Sequence, residues 1–104
     1  MYYTVGIMKR PSISVPFYKA PDAFTNWMKT TYIDSGKARI TVSLSIDGLT
    51  KTSVCAWGNP ADEAEFNSNE NTVAMIADRL AYNNTNQIQR IWSKSDGTEP
   101  SSPP

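Results

Sequence analysis

The residues best suited to chemistry are three acids that follow a helix-start signal. Asn59 can cap a helix and Pro60 is favoured at its first position. Asp62, Glu63 and Glu65 come directly afterwards. Paired carboxylates can perform acid–base catalysis, but acids also stabilise the positive end of any helix. The helix-start interpretation is favoured, so the sequence assigns no catalytic residue.

The other reactive side chain is a single cysteine, Cys55. The sequence contains no histidine, so no imidazole can activate this thiol or bind zinc, copper or haem. The position of Cys55 within an apolar strand favours a structural role. The glycines match neither a dinucleotide fingerprint nor a phosphate-binding loop. From these observations we expect no metal site and no cofactor.

Several arginines and tyrosines could enter a cleft between helices and a sheet. Each of Arg10, Arg39, Arg90, Tyr18 and Tyr82 is individually typical of a solvated or locally paired side chain. As a group near a tryptophan-rich sheet, they could orient a small anionic or aromatic molecule. Tyr18, Tyr82 and Arg90 are therefore candidate ligand-binding residues.

Length and charge restrict the classes of partner. Residues 1–94 of the 104-residue chain are expected to form one domain, with a flexible tail at residues 95–104. Ten basic residues balance ten acidic ones, whereas nucleic-acid-binding proteins usually carry a basic excess. The sequence shows no secretory signal and no apolar stretch of membrane-spanning length. We expect a cytoplasmic location, without nucleic-acid or membrane partners.

Hydrophobic patterns predict the elements at the amino-terminal end. Residues 2–8 are rich in aromatic and β-branched types, which favours a strand. Residues 12–15 lie between two prolines and could form a short edge strand or a loop. Between Pro21 and Gly36, apolar residues recur with helical spacing. A strand followed by a helix is therefore predicted.

A β-hairpin is the clearest element of the pattern. Apolar and polar residues alternate over residues 39–46, which predicts a strand with one buried face. Asp47 and Gly48 then favour a tight turn. A two-residue loop would place Lys51 opposite Leu44 on the buried face. A loop wider by one residue, or a bulge, is therefore favoured for the return strand.

Helical signals continue after the hairpin and end before a last strand. Helix is predicted from Asn59 to about Asn84, with an interruption at residues 67–71. The second part contains an apolar stripe that we expect to face the core: Val73, Ile76, Ala77 and Leu80. Residues 87–94 favour a final strand.

The element order strand–helix–hairpin–helix–strand predicts a ferredoxin-like βαββαβ fold in the α+β class. Right-handed crossovers would give a four-stranded antiparallel sheet, in the order 4-1-3-2, with two helices on one face. The apolar residues Tyr2, Met8, Cys55 and Trp57 would then lie on the open face. Such a face favours a covering partner.

This arrangement resembles the dimeric α+β barrel superfamily, which includes the antibiotic-biosynthesis monooxygenase-like and stress-responsive barrel families. The segment from Trp57 to Phe66 is similar to the passage where strand three ends at a tryptophan and a carboxylate-rich helix begins. The resemblance implies a homodimer with the open sheet faces packed together. It also implies that Tyr2, Met8, Cys55 and Trp57 form the interface.

The resemblance adds three ligand-binding candidates, namely Asn26, Trp27 and Trp57. Haem-degrading members use a histidine with an asparagine and a tryptophan, and this chain has Asn26 and Trp27 but no histidine. Haem degradation by that route is therefore not expected. The spacing of Trp27 within the helical stripe favours core packing as its simpler role.

Three classes of function follow from the sequence. The first is a small-molecule-binding barrel dimer, including a cofactor-free oxygenase or isomerase, with a small aromatic or anionic ligand. The second is a non-catalytic regulatory or interaction domain that uses the sheet as an interface. RNA binding is a distant third, because the basic aromatic signature is absent and the net charge is zero.

Overall fold

A computed structural model describes residues 1–95 of the chain, so the tail expected at residues 95–104 lies outside the described residues except for Ser95. The described part contains four strands and three helices. In chain order they are β1 (Tyr2–Lys9), α1 (Asp22–Met28), β2 (Ala38–Leu44), β3 (Thr50–Trp57), α2 (Pro60–Ser68), α3 (Glu70–Thr85) and β4 (Gln89–Lys94). A π-helical turn, Lys29–Ile33, continues α1.

The strands form one antiparallel sheet in the order β2-β3-β1-β4. The predicted α+β fold class and strand order are confirmed, and the architecture is compatible with a ferredoxin-like fold. The predicted break in the second helical region is also present. Asn69 ends α2 and caps α3, and its side chain accepts a hydrogen bond from the backbone N–H of Asn71. Among the described residues, no helix has the length and apolarity needed to cross a bilayer.

The hairpin register differs from the favoured prediction. Leu44 pairs with Lys51, as in the tighter alternative, so the wider loop is wrong. The side chain of Asp47 fixes the turn by accepting hydrogen bonds from Ser45 and from the backbone N–H of Leu49. Gly48 supplies the positive φ of 75° that the turn requires. The pairing of Lys51 with Leu44 is tolerated because Leu44 is exposed and does not belong to the core.

The helices cover the face of the sheet opposite to the expected one. Tyr2, Cys55 and Trp57 pack in the core beneath the helices, and Met8 is buried on the same face. Their predicted placement on the open face is wrong. The error arises because apolar residues occur on both faces of β1 and β3, so the pattern alone did not identify the covered one. The central positions of the open face are instead Tyr3, Val5, Ile7, Val54, Ala56 and Ile91.

An aromatic cluster attaches the helices to one end of the sheet. Tyr32 is fully buried, with its ring centroid 5.6 Å from that of Trp57 and 5.3 Å from that of Phe66. Trp27 stacks on Phe66 at 6.0 Å. The hydroxyl of Tyr32 donates a hydrogen bond of 3.0 Å to Glu65. These rings join α1, its π-helical turn, α2 and β3 into one packed unit.

The inner face of α3 is more polar than its sequence suggests. Val73, Ala77 and Leu80, predicted to be buried, are exposed, and only Ile76 of that stripe is half-buried. Thr72 and Asn83 are the buried residues of this helix. Polar side chains of α3 therefore face the sheet.

The apolar row of β2 is also less covered than predicted. Ile40, Val42 and Leu44 are exposed although they lie on the helix side of the sheet, and Ile46, which follows the strand, is exposed as well. β2 is an edge strand, and the helices lie over its neighbours. The alternation over residues 39–46 correctly predicted a strand but not a buried face.

Residues 11–20 form a loop and not an edge strand. The guanidinium of Arg10 donates hydrogen bonds to the carbonyls of Gly48 and Val15, at 2.8 and 3.1 Å. It also lies 4.4 Å from the centroid of the Phe17 ring. The loop is thus held against the hairpin turn.

We predict that Tyr32→Ala lowers the free energy of unfolding by about 3–5 kcal/mol, as for other large aromatic truncations in cores. Urea denaturation measures this loss. Tyr32→Phe is the matched control, since it removes only the hydrogen bond to Glu65 and should cost about 1 kcal/mol. Equal losses in the two variants would contradict the central role given to the ring.

Candidate functional site

A cavity of about 130 Å³ lies between the covered sheet face and helices α2 and α3. Its floor comes from β1, β3 and β4, and its roof from the two helices. The apolar part of the wall includes side chains of the aromatic cluster, of α3 and of β4: Trp57, Phe66, Met75, Ile76 and Trp92. The polar part comes from Thr4, Ser53, Glu63, Asn67, Thr72, Arg79 and Arg90. An apolar chamber with a few converging polar groups is typical of small-molecule sites.

The side chain of Arg90 enters the cavity by passing over Gly6. Gly6 lies in the central strand β1 and pairs with Trp92 of β4. Arg90 pairs with Met8, two positions further along β1. A Cβ atom at position 6 would lie 3.0 Å from Nη2 of Arg90. Glycine in a strand interior often marks the close approach of another group. Here the missing side chain makes room for a guanidinium.

The surroundings of the Arg90 guanidinium disfavour its charged form. Burial, and then the nearby charge of Arg79, lower the pKa of Arg90 to about 10. Burial also lowers the pKa of Arg79, which comes from α3. Among the described residues, Nη1 of Arg90 is buried and has no hydrogen-bond partner. Two guanidinium groups from opposite walls therefore lie near each other at this end of the cavity.

Glu63 supplies a carboxyl group on the side of α2. It is 4% exposed, and Asn67 donates a hydrogen bond to its Oε1. Burial raises the pKa of Glu63, while the charge of Lys94 and the hydrogen bond from Asn67 oppose the shift. A buried carboxyl with a raised pKa can exchange a proton closer to neutral pH than an ordinary glutamate can.

Two further polar atoms in the wall are buried without a hydrogen-bond partner among the described residues. They are Oγ1 of Thr72 and Nε1 of Trp57, on residues 0% and 1% exposed. Most buried polar atoms in proteins do have partners. Both residues line the cavity, so a bound molecule that displaces neighbouring side chains can supply partners, accepting from the indole and either donating to or accepting from the hydroxyl.

A second hollow, of about 400 Å³, adjoins the first near the carboxyl end of α3. Ile76, Arg79 and Arg90 line both spaces, so the arginine pair lies at their boundary. Asn83 lines the second hollow. Its Nδ2 lies 3.7 Å from the sulfur of Met8, and its buried Oδ1 has no partner among the described residues.

Cys55 lines the cavity but is poorly suited to nucleophilic attack. Burial, followed by the nearby carboxylate of Glu63, raises the pKa of its thiol to about 11. The reactive thiolate is therefore scarce at neutral pH. Cys55 was predicted as an interface residue, and the structure places it in the cavity wall.

The structure brings together two of the six predicted ligand-binding residues. Trp57 and Arg90 line the cavity, and their role in binding stays a prediction. Asn26 is exposed on α1, and Trp27 belongs to the aromatic cluster. Tyr18 and Tyr82 contact each other, with ring centroids 5.7 Å apart, and neither lines the cavity.

The sequence prediction missed Gly6, Thr72 and Arg79. A signal for Gly6 was present, since a glycine inside a strand pattern suggests close approach of another group. Thr72 and Arg79 share one face of α3 with Met75 and Ile76 at helical spacing. The prediction placed only the purely apolar stripe of α3 against the core, so it did not identify Thr72 and Arg79.

Within residues 1–95, no group of three or more histidine, cysteine, aspartate or glutamate side chains could hold a metal ion. No protein-family model, curated protein or solved structure matches the chain. The site is therefore interpreted from its own geometry.

We predict that Glu63→Gln stabilises the protein at neutral pH. The folded state binds the Glu63 proton more tightly than the unfolded chain does, because burial raises the pKa above its ordinary 4.5. Stability is therefore lost as the pH rises from 4.5 through the folded pKa, and glutamine escapes this loss.

Urea denaturation across a pH series measures the effect. The gain from Glu63→Gln should shrink towards zero once the pH falls below 4.5, where both states of the original protein are protonated. Glu70→Gln, at an exposed position in the first turn of α3, is the control and should give no such gain. A destabilised Glu63→Gln at neutral pH would contradict the prediction.

Proposed function

We propose that this protein binds a small molecule in the cavity beneath α2 and α3. One observation carries the proposal: Thr72 and Trp57 both line one mainly apolar chamber, and each has a buried polar atom, Oγ1 and Nε1, without a partner among the described residues. Burying an unsatisfied polar group costs about 1–3 kcal/mol. Two such groups in one chamber support binding as their role.

The size of the cavity supports a small ligand. An apolar cavity of about 150 Å³ in another protein accommodates benzene, and this one is about 130 Å³. A single-ring compound therefore suits it, with the adjoining hollow as room for a substituent. The aromatic walls from Trp57, Phe66 and Trp92 can pack against such a ring.

Glu63 favours an extension of this proposal to catalysis. Its buried carboxyl can take a proton from a bound molecule and return it at another position, as an isomerase requires. A cofactor-free oxygenase would need an activated substrate in the same chamber. A non-catalytic regulatory domain does not require a buried carboxyl group. Isomerase activity is therefore the better-supported extension of the binding proposal.

Membership of the dimeric α+β barrel superfamily is the second part of the proposal. Its support is the open sheet face, whose central residues are uncharged and include the exposed Tyr3 and Ile91. A second copy of the chain matches such a face, because an isologous contact needs one self-complementary surface. Lys9 and Arg39 lie on its periphery, away from the central positions.

Binding is tested with neutral aromatic probes, indole and benzyl alcohol, followed by ¹⁵N NMR. We expect the indole N–H resonance of Trp57 to shift, because Trp57 lines the cavity and its N–H has no partner among the described residues. Ser53→Phe should abolish the shift, since the new ring points into the cavity from β3. Thr41→Phe, on the open face of β2, should leave it unchanged.

Shifts that map only to surfaces away from the cavity would overturn the binding proposal. Equal loss of binding in Ser53→Phe and Thr41→Phe would do so as well, because the second substitution leaves the cavity intact.

Self-association is tested by light scattering coupled to size exclusion. We expect a dimer at micromolar concentration and a monomer for Ile91→Lys, since a buried charge at the open face opposes association. Val73→Lys is a matched control, because Val73 on α3 is 53% exposed and Ile91 is 52% exposed. A monomeric parent chain, or dissociation caused by Val73→Lys alone, would contradict the open-face dimer.

A further inference from the structure

The cavity has two chemically different ends. Glu63, Cys55 and Lys94 interact electrostatically at the end near α2. Arg79 and Arg90 lie at the other end, next to the adjoining hollow. Between these ends the wall is mainly apolar. A ligand with one charged end and an apolar body matches this order.

The position of Arg90 is determined by its surroundings. Its backbone is held in β4 opposite Met8, and its guanidinium lies over the bare backbone of Gly6. Arg79 reaches the same region from the opposite wall. Preorganised donors bind an anion with less loss of side-chain freedom than mobile surface arginines do.

A carboxylate can accept two parallel hydrogen bonds from one guanidinium. Nη1 of Arg90, which has no hydrogen-bond partner among the described residues, is available for such a bond. Binding would therefore satisfy this donor.

We infer that the cavity recognises a small monocarboxylate, with its carboxylate on Arg90 beside Arg79 and its apolar body against the apolar part of the wall, which includes Phe66 and Trp92. This inference rests on the proposed binding function and adds the charge of the ligand. A dianion such as phosphate fits less well, because most of the remaining wall is apolar and contains the carboxyl of Glu63.

Benzoate and benzamide test the inference, because they share a ring and a planar head group but differ in charge. We expect the parent chain to bind benzoate at least about tenfold more tightly than benzamide at fixed physiological ionic strength, as charge-assisted hydrogen bonds predict. Chemical-shift titrations at the Trp57 indole N–H measure both affinities.

Two substitutions examine the role of the guanidinium. Arg90→Gln should remove the preference for benzoate while benzamide binding is retained. Gly6→Ala keeps every charge but adds a Cβ 3.0 Å from Nη2 of Arg90, which forces the guanidinium to shift, so it should weaken the preference as well. Arg39→Gln, at an exposed arginine on the open face, is the matched control and should preserve it. Gly6→Ala gives a result even where Arg90→Gln fails to fold.

The outcomes separate the two proposals. Equal affinities for benzoate and benzamide in the parent chain would overturn the inference and leave the binding function supported. Failure of both probes, together with the neutral aromatics, would overturn the binding function itself. Inorganic phosphate competing as well as benzoate, or a preference unchanged in both Gly6→Ala and Arg90→Gln, would overturn the assignment to a monocarboxylate.

Discussion

Packing of the Tyr32 ring between Trp57 and Phe66 determines where the helices can lie. These three side chains come from the turn after α1, the end of β3 and the end of α2, and their ring centroids lie 5.3–5.6 Å apart. Both helical connections are thereby attached at the same end of the sheet. Aromatic pairs of this kind contribute more than their buried area alone.

The aromatic cluster occupies one end of the covered face, and the rest of that face is more polar. Below α3 the space contains Thr72, Arg79 and Asn83 from the helix and Arg90 from β4. A core built only for stability would place the apolar residues of α3 here. The protein instead exposes Val73 and Leu80 and turns the polar stripe inward. Departures from apolar packing of this kind often mark functional sites in proteins.

Local patterns predicted the element order, the antiparallel sheet and the break before α3, because they depend on spacing, caps and turn residues near in sequence. The hairpin register was missed, because the buried partner assumed for Leu44 depends on how far the helices extend over β2. The face assignment of Trp57 failed for a similar reason, since both faces of β3 carry apolar groups. Of the site, Trp57 and Arg90 were identified, whereas Gly6, Thr72 and Arg79 become apparent only when α3 is placed over β1.

Gly6 and Arg90 also have a meaning for sequence divergence. A Cβ at position 6 would lie 3.0 Å from Nη2 of Arg90, so the guanidinium would have to shift to admit it, and we expect the two positions to vary together. In a lineage that retains the cavity, glycine and arginine should be inherited as a pair. Where the arginine is replaced by a smaller residue, we expect position 6 to carry the β-branched residues that central strands otherwise favour. The joint presence of Gly6 and Arg90 is thus the feature that we expect distant homologues with this cavity to share.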